Sequence, residues 1–262
     1  MPTPIVVLNE PYALPHHALA YAAQLAKTMA VPLRVFQVDS DAALLTVAKS
    51  ARHWEGRGQP MVQAAAGDLA EAVAPEAVTA LVLAQGALVV VMGCPTSAET
   101  PPDWWTNLTL TLLQTTPQPL LLVPAHPAGH VPPLRIALAA DGEPFTLVHE
   151  QRAMHALLLT LPVQLTVLHT LVPNTIYTAA DALQTVLACR LTARYHFTDT
   201  KEVKASSAAA GILLGLEQSD ADLLVLIVRQ RSLNGRHFED STTAQLLRQS
   251  PVPMLLLLAV DG

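Results

Sequence analysis

Hydrophobic residues along the chain fall into short runs, separated by longer stretches in which apolar positions recur every three or four residues. The runs are rich in Val, Ile and Leu and alternate little with polar residues, as expected of strands covered on both faces. The longer stretches have the period of amphipathic helices. This alternation predicts βαβ units around a parallel sheet. The predicted strands are 4–8, 32–38, 61–65, 88–92, 119–123, 134–139, 163–168, 194–198, 222–228 and 253–259, with helices at 15–29 and 68–85 in the first half.

The same apolar pattern occurs twice along the chain, in the same order. Three segments return at offsets of 130, 134 and 134 residues: "VPLRVFQV" (31–38) as "LPVQLTVL" (161–168), "ALVVVMG" (87–93) as "ADLLVLI" (221–227), and "LTLTLLQTTPQPLLLVP" (108–124) as "TTAQLLRQSPVPMLLLL" (242–258). Ordered self-similarity of this kind indicates a tandem duplication. We therefore predict one domain at 1–125, a linker at 126–133 and a second domain at 134–262.

Composition narrows the class of protein and its partners. The chain has 262 residues, of which 51% are hydrophobic and 14% are charged, so it can bury sizeable cores and widespread disorder is not expected. The net charge of −6 gives no basic footprint for nucleic acid or an anionic membrane. From its short apolar run and lack of basic residues, we expect the amino terminus to be neither a signal peptide nor a spanning helix. We expect a cytoplasmic protein without nucleic-acid or membrane partners.

Residues that carry redox, metal or catalytic chemistry are sparse in this sequence. Cys94 and Cys189 match no zinc or redox spacing, and we expect both to be reduced thiols. The best histidine pair, His126 and His130, lies in the predicted linker with no third ligand nearby, so we predict no metal site. The motifs of serine hydrolases, zinc metalloproteases and P-loop proteins do not occur. Catalysis therefore has no support in the sequence.

The order of the predicted elements, together with "ALVVVMG" (87–93) and "RQSPVPMLLLL" (248–258), resembles the universal stress protein domain in both copies. The resemblance implies an α/β fold with two tandem doubly wound parallel five-stranded sheets of the adenine nucleotide alpha hydrolase-like type. It also implies a pseudo-dimer within the chain, in which 119–123 pairs with 253–257. Prolines at the start of both strands fit a sheet edge, and an apolar edge needs a partner. Further association into a homodimer and an unknown protein partner stay open.

In ATP-binding members of that family, the fourth strand is followed by G-x2-G-x9-G-[ST], whose backbone amides and helix N-terminus hold phosphates. The first copy keeps only the first glycine, as Gly93, and the second copy keeps only the final hydroxyl, as Ser241. Asp240, just before Ser241, would repel a phosphate. The resemblance therefore implies nucleotide loops that have degenerated.

Some residues in the second copy still fit an anion site. By resemblance, Asp141 occupies the position that contacts the base or ribose in the family. Arg229 and its neighbours Arg231, Arg236 and His237 could hold an anion through side chains, or form a solvated loop balanced by nearby acidic residues. The candidate cofactor-binding residues are thus Gly93, Asp141, Arg229 and Ser241.

Two tryptophans, Trp104 and Trp105, stand where the family has its loop. They either fill the space that glycines once left or stack on an adenine or a partner.

Two functions follow from these observations. The first is a non-enzymatic tandem universal stress protein that binds no cofactor and serves as a scaffold or regulatory module in a stress response. The second is a stress protein that binds ATP, another adenine nucleotide or a small anion in the cleft of the second domain, with weak ATPase activity.

Overall fold

The computed structural model describes residues 3–9, 17–39, 44–47, 75–94, 102–148, 161, 163–191, 198–233 and 241–261. The chain divides into two compact units, Met1–His126 and Pro127–Gly262. Most of the predicted linker, 126–133, therefore lies within the second unit. None of the helices in the described ranges is long and apolar enough to cross a membrane.

The first unit has a mainly parallel sheet with the strand order β3-β2-β1-β4-β5. Strands β1, β2, β4 and β5 run parallel, whereas β3 pairs antiparallel with β2. The apolar strand β4 is buried almost throughout because it has neighbours on both sides. The elements are β1 (Ile5–Asn9), α1 (His17–Met29), β2 (Leu33–Asp39), β3 (Leu44–Val47), α2 (Pro75–Gln85), β4 (Val89–Gly93), α3 (Pro102–Thr115) and β5 (Leu120–Val123).

The second unit has the strand order β9-β8-β6-β10-β11, with all five strands parallel. A short strand, β7, pairs antiparallel with the end of β11. The elements are β6 (Arg135–Ala139), β7 (Phe145–Leu147), β8 (Gln164–Leu171), α4 (Ala179–Ala188), β9 (Thr198–Lys204), α5 (Ala208–Ser219), β10 (Leu223–Arg229), α6 (Thr242–Gln249) and β11 (Met254–Asp261), with a 3-10 turn at Gln230–Leu233.

Most strand predictions match the structure, with a few exceptions. The third strand of the second copy was expected at 194–198 but lies at Thr198–Lys204, "TDTKEVK". It pairs with β8 and ends the strand order of its unit, so its exposed residues are polar and no apolar run marks it. Strands β3 and β7 were not predicted. The strand expected at 61–65 lies outside the described residues.

A buried aspartate fixes the path by which the chain enters the second unit. Asp222, which is 1% exposed, accepts hydrogen bonds from the backbone N–H groups of His130 (3.0 Å), Leu134 (3.0 Å) and Arg135 (2.8 Å). Burial alone would raise the pKa of Asp222, but these hydrogen bonds and the charge of Arg135 outweigh it and lower the pKa below its ordinary value. Residues 130–135 are thus part of the second unit's folded structure.

Helix α5 approaches the sheet closely because a glycine faces β8. A Cβ atom at Gly211 would lie 2.2 Å from Cγ2 of Thr170, a distance at which one of the two must move. The glycine thereby sets how far the first turn of α5 lies from the ends of the strands.

Candidate functional site

The second unit has a cavity at the carboxyl ends of its central strands. The chain runs outward from β6 to β8 and β9 and then returns to β10 and β11, so β6 and β10 flank the point where the strand order reverses. Ligands of open α/β sheets bind at such points. The cavity has a volume of about 210 Å³, and its walls include the ends of β6, β8 and β10 and the first turns of α5 and α6.

Two helices begin at this cavity. Ser207 caps α5 by accepting a hydrogen bond from the N–H of Ala210, and Ser241 caps α6 by accepting one from the N–H of Ala244. Ala208 and Thr242, the first residues of the two helices, line the cavity. Because the first N–H groups of a helix lack partners within it and carry partial positive charge, both helices favour an anion at this place.

Arg229, the last residue of β10, also lines the cavity and is 7% exposed. Its Nη1 donates to the carbonyl oxygen of Pro144 (2.9 Å), and its Nη2 donates to the carbonyl oxygen of Glu143 (2.7 Å) and to Oδ1 of Asp141 (3.0 Å). The guanidinium carbon lies 5.9 Å from the centre of the Phe145 ring. The guanidinium is therefore bound to the segment that follows β6.

That segment, residues 140–147, is called the strap below. Oδ1 of Asp141 also accepts the N–H of Glu143 (2.9 Å), which tightens the turn. The Glu143 carboxylate binds the guanidinium of Arg231. This hydrogen bond, opposed by partial burial and helped by the charges of Arg229 and Arg231, lowers the pKa of Glu143. The acidic residues of the strap are thus paired with arginines of the second unit.

Contacts on the other side hold the strap against β8 and α4. His169 on β8 is fully buried, with Nδ1 3.1 Å from the carbonyl oxygen of Ala140 and Nε2 3.1 Å from that of Tyr177. Gly142 has a φ of +90°, and a Cβ there would lie 2.5 Å from Cβ of Tyr177. Only glycine fits both the conformation and the space. The Sγ of Cys189 donates to the carbonyl oxygen of Phe145 (3.4 Å).

The first unit closes the corresponding strand end in another way. Trp105 on α3 is 3% exposed, and its Nε1 donates to the carbonyl oxygen of Gly93 (2.8 Å) at the end of β4. A Cβ on Gly93 would lie 3.5 Å from Nε2 of His17 on α1. Trp105 therefore fills this part of the first unit. The side chain of Trp104 lies outside the described part of the chain.

Comparison with known proteins identifies the second unit. The profile of the universal stress protein family matches residues 134–257. These residues form a universal stress protein domain. No curated protein sequence matches the chain.

Solved structures share the fold at low sequence identity. A candidate universal stress protein from Pseudomonas aeruginosa UCBPP-PA14 is 20% identical, with a TM-score of 0.61 over 98% of this chain and 94% of its own. A functionally unknown protein from Pseudomonas aeruginosa PAO1 is also 20% identical, with a TM-score of 0.60 over 98% of this chain and 92% of its own. A universal stress protein from Archaeoglobus fulgidus DSM 4304 is 12% identical, with a TM-score of 0.58 over 96% and 95%. These likenesses show an α/β fold with a mostly parallel sheet.

The candidate residues lie in three places. In the universal stress protein domain, Asp141 and Arg229 contact each other, and Ser241 caps the helix whose next residues line the cavity. Gly93 lies in the first unit. The loop at 234–240, with Arg236 and Asp240, lies outside the described residues. Within the described ranges, no group of three or more His, Cys, Asp or Glu side chains is placed to hold a metal ion.

Sequence reasoning missed the strap and its anchor His169. The dipeptide Asp141–Gly142 is typical of a turn, but nothing local marks the three-residue strand that follows it.

Proposed function

We propose that this chain is a non-enzymatic tandem universal stress protein whose nucleotide loops have degenerated, and that it serves as a scaffold or regulatory module in a stress response in the cytoplasm. The observation that carries the proposal is the pairing of Arg229 with Asp141. The carboxylate that would contact a ribose is occupied by the protein's own cation, at the place where a ligand would bind.

The proposal that the first unit is a second copy rests on strand order. β2-β1-β4-β5 in the first unit and β8-β6-β10-β11 in the second have the same order and are all parallel. Trp105 fills the first unit where a nucleotide loop would need space. We therefore propose that neither copy holds a triphosphate.

A scaffold role requires surfaces for association. We expect the apolar last strands, 119–123 and 253–257, to pair with each other within the chain, since unpaired apolar edges aggregate. A homodimer or another protein partner would then use other surfaces.

The second candidate function is binding of ATP, another adenine nucleotide or a small anion in the cavity of the second unit, with weak ATPase activity. It is favoured by the two capped helices that begin at this cavity.

Thermal unfolding of the purified full chain distinguishes the two. We expect no nucleotide to co-purify, and we expect ATP with magnesium to leave the melting temperature unchanged. A ligand at 100 times its Kd stabilises a protein by about 2.7 kcal/mol, which is easily measured. A clear upward shift with ATP would contradict the scaffold proposal. A shift with inorganic phosphate and none with ATP would support the small-anion alternative.

A further inference from the structure

The strap crosses the carboxyl end of β10. β6 lies on one side of β10 and β11 lies on the other. The chain leaves β6 at Ala139 and pairs with Ala259–Asp261 of β11 through β7. Residues 140–144 must therefore pass over the end of β10, where Arg229 stands. Strand order alone places this segment across the point at which ligands of such sheets bind.

Arg229 holds the strap at its crossing point. Its guanidinium donates to two consecutive carbonyl oxygens, of Glu143 and Pro144, and to the carboxylate of Asp141. Because these bonds lie in a buried region, the loss of the guanidinium would leave strap carbonyls without donors. Arg231 binds the Glu143 side chain and is half exposed. The two arginines thus differ in what they hold, although both contact the strap.

The closed strap limits what the cavity can contain. Asp141 and Phe145 of the strap form part of the cavity wall, and the cavity volume of about 210 Å³ is below the range of about 300–1,000 Å³ that is usual for ligand pockets. Displacement of the strap would enlarge the cavity and release the Asp141 carboxylate from Arg229. A released carboxylate can accept hydrogen bonds from the two neighbouring hydroxyl groups of a ribose.

We propose that Arg229 is a specificity-determining latch, which fastens the strap over the cavity of the second unit and thereby excludes nucleosides. The inference rests on the proposed function in taking this cavity as the ligand site. Replacing the latch converts a cavity that rejects a nucleoside into one that admits it.

The test uses the full chain, with Arg229→Met as the variant and Arg231→Met as the matched control. Methionine keeps an apolar stem of similar length but donates no hydrogen bond. Hydrogen exchange of the peptide that covers 140–148 should be about tenfold faster in Arg229→Met than in the parent, while peptides from β4 and β1 exchange at the parent rate. Adenosine, titrated calorimetrically, should bind Arg229→Met and bind neither the parent nor Arg231→Met.

Two outcomes overturn the latch. The first is strap exchange in Arg229→Met equal to that of the parent. The second is faster exchange without adenosine binding. If Arg229→Met does not fold, Asp141→Asn weakens the same contact from the strap, and its strap must then exchange faster than that of the parent. Adenosine binding by the parent would contradict the latch as well, whereas ATP-induced stabilisation of the parent without adenosine binding would contradict the scaffold proposal alone.

Discussion

The two units close the same strand end with different chemistry. In the first unit, an indole donates to the carbonyl oxygen of Gly93, and an aromatic ring fills the space. In the second unit, the charged side chain of Arg229 binds a strap that passes above it. The end of a central strand can therefore be covered in two ways, by an aromatic side chain that packs against it or by an ion pair with a segment that crosses it.

The amino ends of β4 and β10 also differ, with an apolar residue in the first unit and a charged residue in the second. Leu88 precedes β4 and is buried, whereas the position 134 residues later is Asp222, which precedes β10 and binds three backbone N–H groups. The second unit thus uses charge at both ends of its central strand. Its stability should depend on pH and on single charged residues, and that of the first unit should depend on packing.

The largest effect is expected for Asp222→Ala. The change leaves the N–H groups of His130, Leu134 and Arg135 without their acceptor in a buried place, and it should lower the free energy of unfolding by about 3 kcal/mol. Urea unfolding followed by circular dichroism measures it. Tryptophan fluorescence reports the first unit alone, since all three tryptophans lie before residue 126.

The matched control for this change is Asp220→Asn, because Asp220 has a φ of +46° and asparagine tolerates this conformation better than alanine. The Asp220 side chain is 79% exposed and also pairs with Arg135, so the loss of its charge should cost less than about 0.5 kcal/mol. Equal losses in the two variants would show that burial of the carboxylate is irrelevant.

A smaller effect is expected from pH, through the same residue. The pKa of Asp222 is lower in the folded state than its ordinary value of 3.8. Its contribution to stability is therefore present above that value and is lost as the pH falls through the lowered folded pKa. Asp222→Asn should reduce the slope of unfolding free energy against pH in this acid range. The reduction should correspond to about one proton fewer taken up on unfolding. Parallel curves for parent and variant, measured by urea unfolding at a series of acid pH values, would exclude this origin.

Apart from the Asp220 control, the smallest loss of stability is expected for Trp105→Phe in the first unit. Phenylalanine keeps most of the buried aromatic area but leaves the Gly93 carbonyl without the indole donor, so the loss should be about 1 kcal/mol. Tryptophan fluorescence in urea measures it through the remaining tryptophans. A loss near 3 kcal/mol would mean that ring packing and not the hydrogen bond dominates. Trp105→Ala, which removes both, separates the two contributions.

A strand can be located from the sequence when its own residues carry the signal. Strands expected at 88–92 and 222–228 lie at Val89–Gly93 and Leu223–Arg229, because strands covered on both faces leave an uninterrupted apolar run. Strand β9 was expected at the wrong residues because its exposed residues are polar and no apolar run marks it.

The candidate site was predictable only in its residue types. Asp141 and Arg229 could be picked out as charged groups in the right loops. Their contact depends on the strap, which joins groups 88 residues apart in the chain. No local sequence pattern predicts that the arginine at the end of β10 will pair with a carboxylate in the segment that follows β6.

The attachment of residues 128–135 also bears on how the chain resists cleavage. Proteases cut where a segment can leave the surface and extend, and backbone hydrogen bonds oppose this. The N–H groups of Ala128, His130, Leu134 and Arg135 are all bound, to the Pro251 carbonyl or to Asp222. A segment that looks in the sequence like an exposed, proline-rich tether is in this way a poor cleavage site, so we expect limited proteolysis to spare residues 128–135.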